Sequence, residues 1–456
     1  MRILFVRPRP SPETIGLQHV MVVEPLELEI LSALCRPGDH RMLADLILEK
    51  KPLSAFLEAY RPDVVCITAY ITHVSIVTGY CREIKRGYPG VATVVGGVHC
   101  EVCPGDFDDP AVDFRAVRNA ALLFPALLGH LETGSPLPEG ILRPGELPAA
   151  EQLPPFDFRI PLPDRGLTAP YRNRYFYIFH DRVALLKTSF GCPHHCSFCF
   201  CTRITRGIYA QRPLPEVMEE LETLSEREIY IVDDDFLADR RRLLEFIGEC
   251  RSRDIRKHYL VYGRADFIAG NPDLLRSFRD AGLKTVIVGL ESFEEADLNL
   301  YNKHTTPAVN IRAMEILNSL GIDCFATLIV PPHWGREEFR AMTRRLVGLG
   351  VHFVNLQPLT PLPGAGMAFP PSRMILDRQD FEKWDLAHQA LQPEKLSVAG
   401  FYREMVKAYY KIIFQPRFLV RHLVRYPLPL LARMVRGAFL VSRQYRQKIK
   451  EAERHA

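Results

Sequence analysis

Residues 189–201 read SFGCPHHCSFCFC. Cys192, Cys196 and Cys199 fall within eight residues, with His194 and His195 between them and Cys201 just after. Thiols at this density could serve zinc, a disulfide or an iron–sulfur cluster. A structural zinc site wants four ligands, commonly as two close pairs, and no second pair lies at finger spacing. A four-iron cluster normally takes four cysteines. Three would leave one iron open, which is useful only where something must bind it. A separate C-x2-C, Cys100 and Cys103, admits a redox pair or a second metal; two partly buried thiols are the simpler reading.

The elements that must position these residues are legible from periodicity. The chain has 456 residues, 47% hydrophobic and 25% charged, enough for two or three domains with cores of their own. The opening MRILFVRPRP is too short in its apolar run for a signal peptide, and no run of about 18 apolar residues predicts a membrane span. The expectation is a cytoplasmic protein, in which eleven cysteines are thiols or metal ligands. Net charge is +4, but residues 401–456 hold 13 Lys/Arg against 3 Asp/Glu, so the body before them is acidic.

Over residues 1–132 short apolar β-rich runs alternate with helical ones: strands at 3–7, 42–48, 63–70, 91–97 and 112–117, helices at 25–34, 53–60, 74–85 and 120–132. This pattern predicts an α/β, doubly wound (Rossmann-like) parallel domain. Its ligand would sit beyond the strands' carboxyl ends, at residues 8–10, 69–73 and 96–99. Residues 133–181 are proline-rich without a period and read as a linker.

From 182 to 366 the alternation restarts. Strands at 183–189, 229–235, 258–264, 285–291, 323–330 and 352–358 alternate with helices at 213–226, 239–252, 272–281, 307–320 and 336–349. Six β/α units suggest a barrel two units short of the full eight. Asp233–Asp235, Arg264, Glu291 and Gln357 stand at the carboxyl ends of its strands, where charge reads as site. Residues 367–456 form a basic helical C-terminal region. Phe401, Met405, Tyr409, Ile412 and Ile413 share one helical face; Arg417, Arg421 and Arg425 recur four apart, opposite Leu419, Val420, Leu423 and Val424. Such helices either pack on the barrel or lie on an anionic membrane surface. No aromatic-interleaved basic platform supports nucleic acid.

The spacing C-x3-C-x2-C, with Phe198 before the third cysteine, resembles the signature of the radical S-adenosylmethionine (SAM) superfamily. VDDDF (232–236), GRADF (263–267), VGLES (288–292) and PLTPLPG (358–364) are similar to that family's segments after later strands. The resemblance implies that Cys192, Cys196 and Cys199 ligate a [4Fe–4S] cluster and that SAM completes the open iron. It implies Phe198 beside the adenine and Arg264 for the SAM carboxylate. Glu291 would serve a ribose hydroxyl or the ammonium, with Asp234 among the aspartates serving SAM or substrate. An internal ion pair is the alternative for Arg264 and Glu291. His194 and His195 read as loop surface, and Cys201 as a thiol near the cluster.

EPLELEIL (24–31), PDVVCITAY (62–70) and VVGGVH (94–99) resemble the cobalamin-binding class of the superfamily. That implies cobalamin at Thr68, Gly96, Gly97 and His99, the glycines admitting a bulky ligand close to backbone. The motif D-x-H-x-x-G is absent after Asp45, and VRNAALLF (117–124) replaces an acidic run, keeping Arg118 and placing Asn119 at a helix cap. His73 reads as a loop-surface residue.

The implied function is a cobalamin-dependent radical SAM C-methyltransferase acting on an unactivated carbon of a hydrophobic molecule, lipid-like or tetrapyrrole. Its electron donor would be of flavodoxin or ferredoxin type, with peripheral membrane contact through the basic helices. The rival readings are a radical cyclase or oxidoreductase, and a non-catalytic iron–sulfur or cobalamin sensor.

Overall fold

Four successive apolar residues in RILFVR suit a strand covered on both faces, and Ile3, Leu4, Phe5 and Val6 are fully buried in β1 (Arg2–Arg7). The computed structural model describes residues 1–148 and 158–454, apart from the side chains of 17, 417–419 and 421–422. The expected contributions of Arg417, Leu419 and Arg421 therefore lie outside the described residues. The chain divides into two units. One comprises Met1–Thr14, Glu24–Tyr175 and Arg378–Asp385; the other comprises Ile15–Val23, Phe176–Asp377 and Leu386–Ala456.

In the leading unit β1 is joined by β2 (His40–Asp45), β3 (Val64–Thr68), β4 (Ala92–Gly96), β5 (Phe114–Ala116) and β6 (Ile141–Leu142). Their order is β2-β1-β3-β4-β5-β6, parallel except for β6. Helices α1 (Leu26–Ala33), α2 (Leu53–Tyr60), α3 (Val74–Gly87), α4 (Val98–Val102) and α5 (Ala120–Thr133) connect or flank the strands, giving the doubly wound architecture.

The segment 133–181 is more than a spacer. Arg165 bridges Glu24 and Glu29 at 2.7 and 2.6 Å, Tyr171 donates to Glu49 at 2.9 Å, and Tyr175 donates to Asp45 at 3.0 Å. These are isolated polar contacts to distant parts of the chain, which leave no periodic trace in sequence. Residues 149–157 of that segment lie outside the described residues.

The second unit is built on β7 (Val183–Leu186), β8 (Glu228–Ile231), β9 (His258–Gly263), β10 (Leu283–Glu291), β11 (Asp323–Val330) and β12 (Phe353–Pro358). They pair in sequential order, all parallel. Helices α6 (Leu214–Thr223), α7 (Arg240–Ser252), α8 (Pro272–Asp280), α9 (Pro307–Leu320) and α10 (Arg336–Gly348) alternate with them. This is the partial (β/α)6 barrel. Local chemistry sets its helix starts: Asp239 accepts from the N–H groups of Arg241 and Arg242 at 2.9 and 3.1 Å, and Thr306 accepts from Val309 at 3.3 Å.

Three helices follow. α11 (Val398–Ile413), capped by Ser397, buries Phe401, Tyr402, Met405, Ala408 and Ile412 in the barrel core. For this helix, packing on the barrel is the outcome. α12 (Pro416–Arg425) is tied by Arg425 and Tyr426 to Asp323, each at 2.9–3.0 Å. α13 (Leu428–Arg454) approaches the backbone at His19 so closely that a Cβ on Gly437 would lie 2.4 Å from its carbonyl oxygen. Yet Val420, Leu423, Val424, Leu428, Val435 and Phe439 are each at least 61% exposed. No described helix is long and apolar enough to cross a membrane.

Candidate active site

The cysteine loop leaves β7 at the carboxyl end of the barrel strands. Asp233, just beyond β8, fastens its root: the carboxylate accepts from the Thr188 N–H at 2.6 Å, the Ser189 hydroxyl at 2.7 Å and the Thr188 hydroxyl. The far side is held by the segment after Leu300. Ser197 donates to the carbonyls of Tyr301 and Leu300, and Asn302 donates to the carbonyl of His195. Cys192, Cys196 and Cys199 are half-buried and free of disulfides. Among the described residues, the trio of metal-type ligands that converges within 4.8 Å is His99, Cys103 and Asp106.

Donors and burial act on the loop sulfurs in opposite directions. The Cys201 N–H points at the Cys199 sulfur at 3.5 Å, and Arg264 Nη1 lies 3.9 Å from the Cys196 sulfur. Burial pushes the Cys192 thiol up to about 12. Hydrogen bonding from Cys201 is the largest influence on Cys199 and pulls it down, against burial. A cationic cluster bound at all three sulfurs would remove the protons that burial otherwise favours.

The expected SAM-side residues do come together, and the structure separates their roles. Glu291 is ion-paired with Lys303 at 2.8 Å, both less than a tenth exposed. Its φ of +59° is a left-handed conformation that a residue with a Cβ adopts at a cost. Arg264 donates to Asp266 at 3.0–3.2 Å and to the Lys303 carbonyl at 2.6 Å. The ion-pair alternative thus holds for both, each with its own partner. Phe198 meets Tyr301 edge-on at 5.8 Å, and Lys303 Nζ lies 5.8 Å from its ring centre.

Lys303 was invisible to sequence reasoning. It is a single lysine twelve residues past Glu291, and only the fold brings the two together. The three aspartates also part company. Asp233 is structural, and Asp234 lies 4.0 Å from Lys187. Asp235 is 3% exposed with no hydrogen-bond donor at either oxygen among the described residues, His194 Nε2 standing at 3.5 Å. His194 is therefore a half-buried neighbour of the site rather than loop surface, while His195 is exposed.

In the leading unit Thr68, Gly96, Gly97 and His99 share the carboxyl edge of β3 and β4. The Thr68 hydroxyl donates to Glu27 at 3.0 Å. Gly97 has φ +101°, and a Cβ there would lie 2.8 Å from the Ala69 backbone, so any side chain would pry β3 from β4. The close approach at Gly97 is thus to the protein's own backbone. The His99 ring is turned to Asp106 at 2.7 Å, and Arg378 reaches the same carboxylate oxygen at 2.6 Å.

His73 is buried, correcting the surface expectation. Its Nδ1 accepts the Tyr70 N–H at 3.3 Å, and burial, aided by Arg7, pushes it down to about 4. Cys100 is wholly buried with its thiol on the Val95 carbonyl, while Cys103 is half-buried among His99 and Asp106, so the C-x2-C is no thiol pair.

A partial parallel barrel with three cysteines after its first strand stands on one chain with a doubly wound unit. Comparison with known proteins agrees. The model of the B12 binding domain matches residues 14–128, and that of the radical SAM superfamily matches 186–346. The hopanoid C-3 methylase of Methylococcus capsulatus is 31% identical over 423 residues, covering 89% of this chain and 79% of that one. The anaerobic magnesium-protoporphyrin IX monomethyl ester cyclase of Rubrivivax gelatinosus is 25% identical, covering 92% and 78%. Among solved structures, the radical SAM methyltransferase TsrM of Kitasatospora setae shares the fold with a TM-score of 0.62 at 19% identity, covering 80% and 75%.

The chain belongs to the cobalamin-dependent radical SAM family. It is a radical SAM enzyme whose cofactors are a [4Fe–4S] cluster, SAM and cobalamin.

Proposed function

We propose that this chain is a C-methyltransferase acting on an unactivated carbon of a hydrophobic, polycyclic substrate. The observation that carries this is the likeness to a hopanoid methylase across nine-tenths of the chain. When bound, the cluster and SAM supply radical chemistry and cobalamin supplies a transferable methyl group.

The chain's own residues hold and orient these groups. Cys192, Cys196 and Cys199 hold the cluster, and the Cys201 N–H and Arg264 steady the sulfurs' negative charge. Asp235, buried with vacant acceptors, fits a positively charged ammonium. Arg264 and Lys303 form the cationic side that suits a carboxylate, with Glu291 fixing Lys303. Phe198 offers an aromatic face, and Asp234 lines the same edge. Thr68, Gly96 and Gly97 form the strand-end ledge for cobalamin; the His99 backbone N–H donates to Ala69 and helps shape it.

Turnover of the reconstituted enzyme with SAM and a reductant tests the reading. Methyl transfer consumes two SAM per product, so S-adenosylhomocysteine should match 5′-deoxyadenosine in amount. Deoxyadenosine alone would support the second reading, oxidative cyclisation, which the cyclase relative favours. Neither product would leave the sensor.

The electron donor is of flavodoxin or ferredoxin type, and the setting is cytoplasmic, consistent with eleven cysteines free of disulfides. The exposed apolar residues of α12 and α13, with exposed Arg425, Arg436 and Arg443 near them in sequence, form a membrane-contacting element. Because Arg425 and Tyr426 grip Asp323, the first residue of β11, this element is anchored at the end of the strands opposite the cysteine loop. Val424→Asp should weaken binding to anionic lipid vesicles; unchanged binding would remove the membrane role.

A further inference from the structure

The acidic run missing after β5 leaves a visible consequence. Arg118, two residues past β5, is 4% exposed, yet its Nε and Nη1 find no acceptor among the described residues. A guanidinium withdrawn from water without a counter-charge is unfavourable. The neighbouring buried arginine differs. Arg115, in β5 and wholly buried, lacks an acceptor at Nε but reaches the carbonyls of Pro104 at 3.0 Å, Arg143 at 2.6 Å and Glu146 at 2.8 Å, and Asp108 at 3.1 Å.

Next to Arg118, α5 begins and runs fourteen residues. Asn119 sits at its N-cap with left-handed backbone, φ 34° and ψ 63°, and its side chain makes no capping hydrogen bond. The first turn carries no acidic residue. The positive end of α5 thus lies next in sequence to a buried guanidinium with vacant donors. Both stand at the carboxyl edge of the sheet. A Cβ on Gly96 would lie 3.6 Å from that of Ala116, the last residue of β5, which puts this corner beside the glycine ledge. Ligands of doubly wound sheets bind along this edge, and a guanidinium with a helix N-terminus suits a phosphate group.

We propose that Arg118 and the amino-terminal turn of α5 bind a phosphate group. Resting on the cobalamin assignment above, we take that group to be the phosphodiester of the cofactor's nucleotide tail. Arg118 then selects the complete cofactor over the bare corrin. The same chemistry would accept free phosphate or a separate nucleotide, and the experiment distinguishes these sources.

The full chain, with its cluster reconstituted, is titrated anaerobically with hydroxocobalamin and with cobinamide, the corrin lacking the nucleotide and its phosphodiester. Corrin absorbance reads the binding. Wild type should bind cobalamin about tenfold or more tighter than cobinamide, the scale of a charge-assisted hydrogen-bonded contact. Arg118→Gln should bring cobalamin down to the cobinamide level and leave cobinamide binding unchanged, with Arg118→Lys between. Inorganic phosphate should weaken cobalamin binding and spare cobinamide.

Equal loss of both corrins in Arg118→Gln would overturn the proposal, as would discrimination that survives the substitution. Phosphate that raises the thermal transition of the cobalamin-free wild type, with no preference between the corrins, would assign the site to a separate phosphate and overturn the tail reading. Wild type that retains neither corrin would instead remove the cobalamin assignment, and the tail reading with it. The cobalamin-free Arg118→Gln chain should melt no lower than wild type, because it loses an uncompensated charge; a lower transition would show that Arg118 is structural.

Discussion

The two ends of the barrel strands bury charge in opposite ways. At the amino-terminal end the carboxylates are satisfied. Glu228, first in β8, is hydrogen-bonded to His180 and His258, each at 2.6 Å, and His180 goes on to Thr285 at 2.8 Å. Asp323, first in β11, is closed off by Arg425 and Tyr426. At the carboxyl-terminal end Asp235 has no donor, Glu291 sits in a strained backbone conformation, and Lys303 is buried for the sake of one carboxylate. The sheet is the same, and Asp323 is as deeply buried as Asp235, each 3% exposed. What differs is Asp235, whose carboxylate oxygens accept from no donor among the described residues; in the function proposed above, its partner is a ligand.

The comparison can be broken most sharply at Lys303. Lys303→Met leaves Glu291 buried and unpaired, and should cost about 3–5 kcal/mol of stability, read as a large fall in the thermal transition. A loss under about 1 kcal/mol, the range of an exposed pair, would show that water reaches Glu291 and that this end is no different from a surface.

The neighbouring aspartates make a finer contrast. Asp233→Asn weakens three bonds at the root of the cysteine loop and should cost about 2–3 kcal/mol. Asp235→Asn removes a buried charge that accepts no hydrogen bond from the described residues, so the SAM-free chain should be unchanged or more stable while SAM affinity drops about tenfold. Equal destabilisation by the two would mean that Asp235 is structural as well.

Acid tests the satisfied end. The two histidines oppose burial and hold Glu228 down at about 2. A carboxylate whose folded value lies below its unfolded one stabilises the fold above the unfolded value, about 4.3. That contribution fades as pH falls from about 4.3 to about 2, and is worth up to about 3 kcal/mol. Glu228→Gln should flatten the acid limb of denaturant-unfolding stability between about pH 5 and about pH 3. An unchanged slope would show the network to be slack.

Much of this molecule was readable before its structure. The helices over 53–60 and 307–320 and the strand over 323–330 coincide with α2, α9 and β11, because apolar periodicity and flanking Pro or Gly act within a few residues of themselves. Strand ends were overrun, as at 229–235 against Glu228–Ile231, because the acidic tail of that run belongs to the site and not to the sheet. The segment 133–181 hid its role for the opposite reason. Arg165 and Tyr175 act on residues more than a hundred positions away, and no local pattern marks them.

The sequence by itself determined the family resemblance that implies the cofactors: three thiols at fixed spacing after a strand, and motifs after later strands, are local arrangements that can be matched without coordinates. Only the tertiary structure decided which charges are spoken for. It paired Glu291 with Lys303, gave Asp233 to the loop, left the Asp235 oxygens and two Arg118 nitrogens without hydrogen bonds among the described residues, and turned His73 inward. Burial and pairing depend on residues far apart in the chain, and the energy of a charge depends on both.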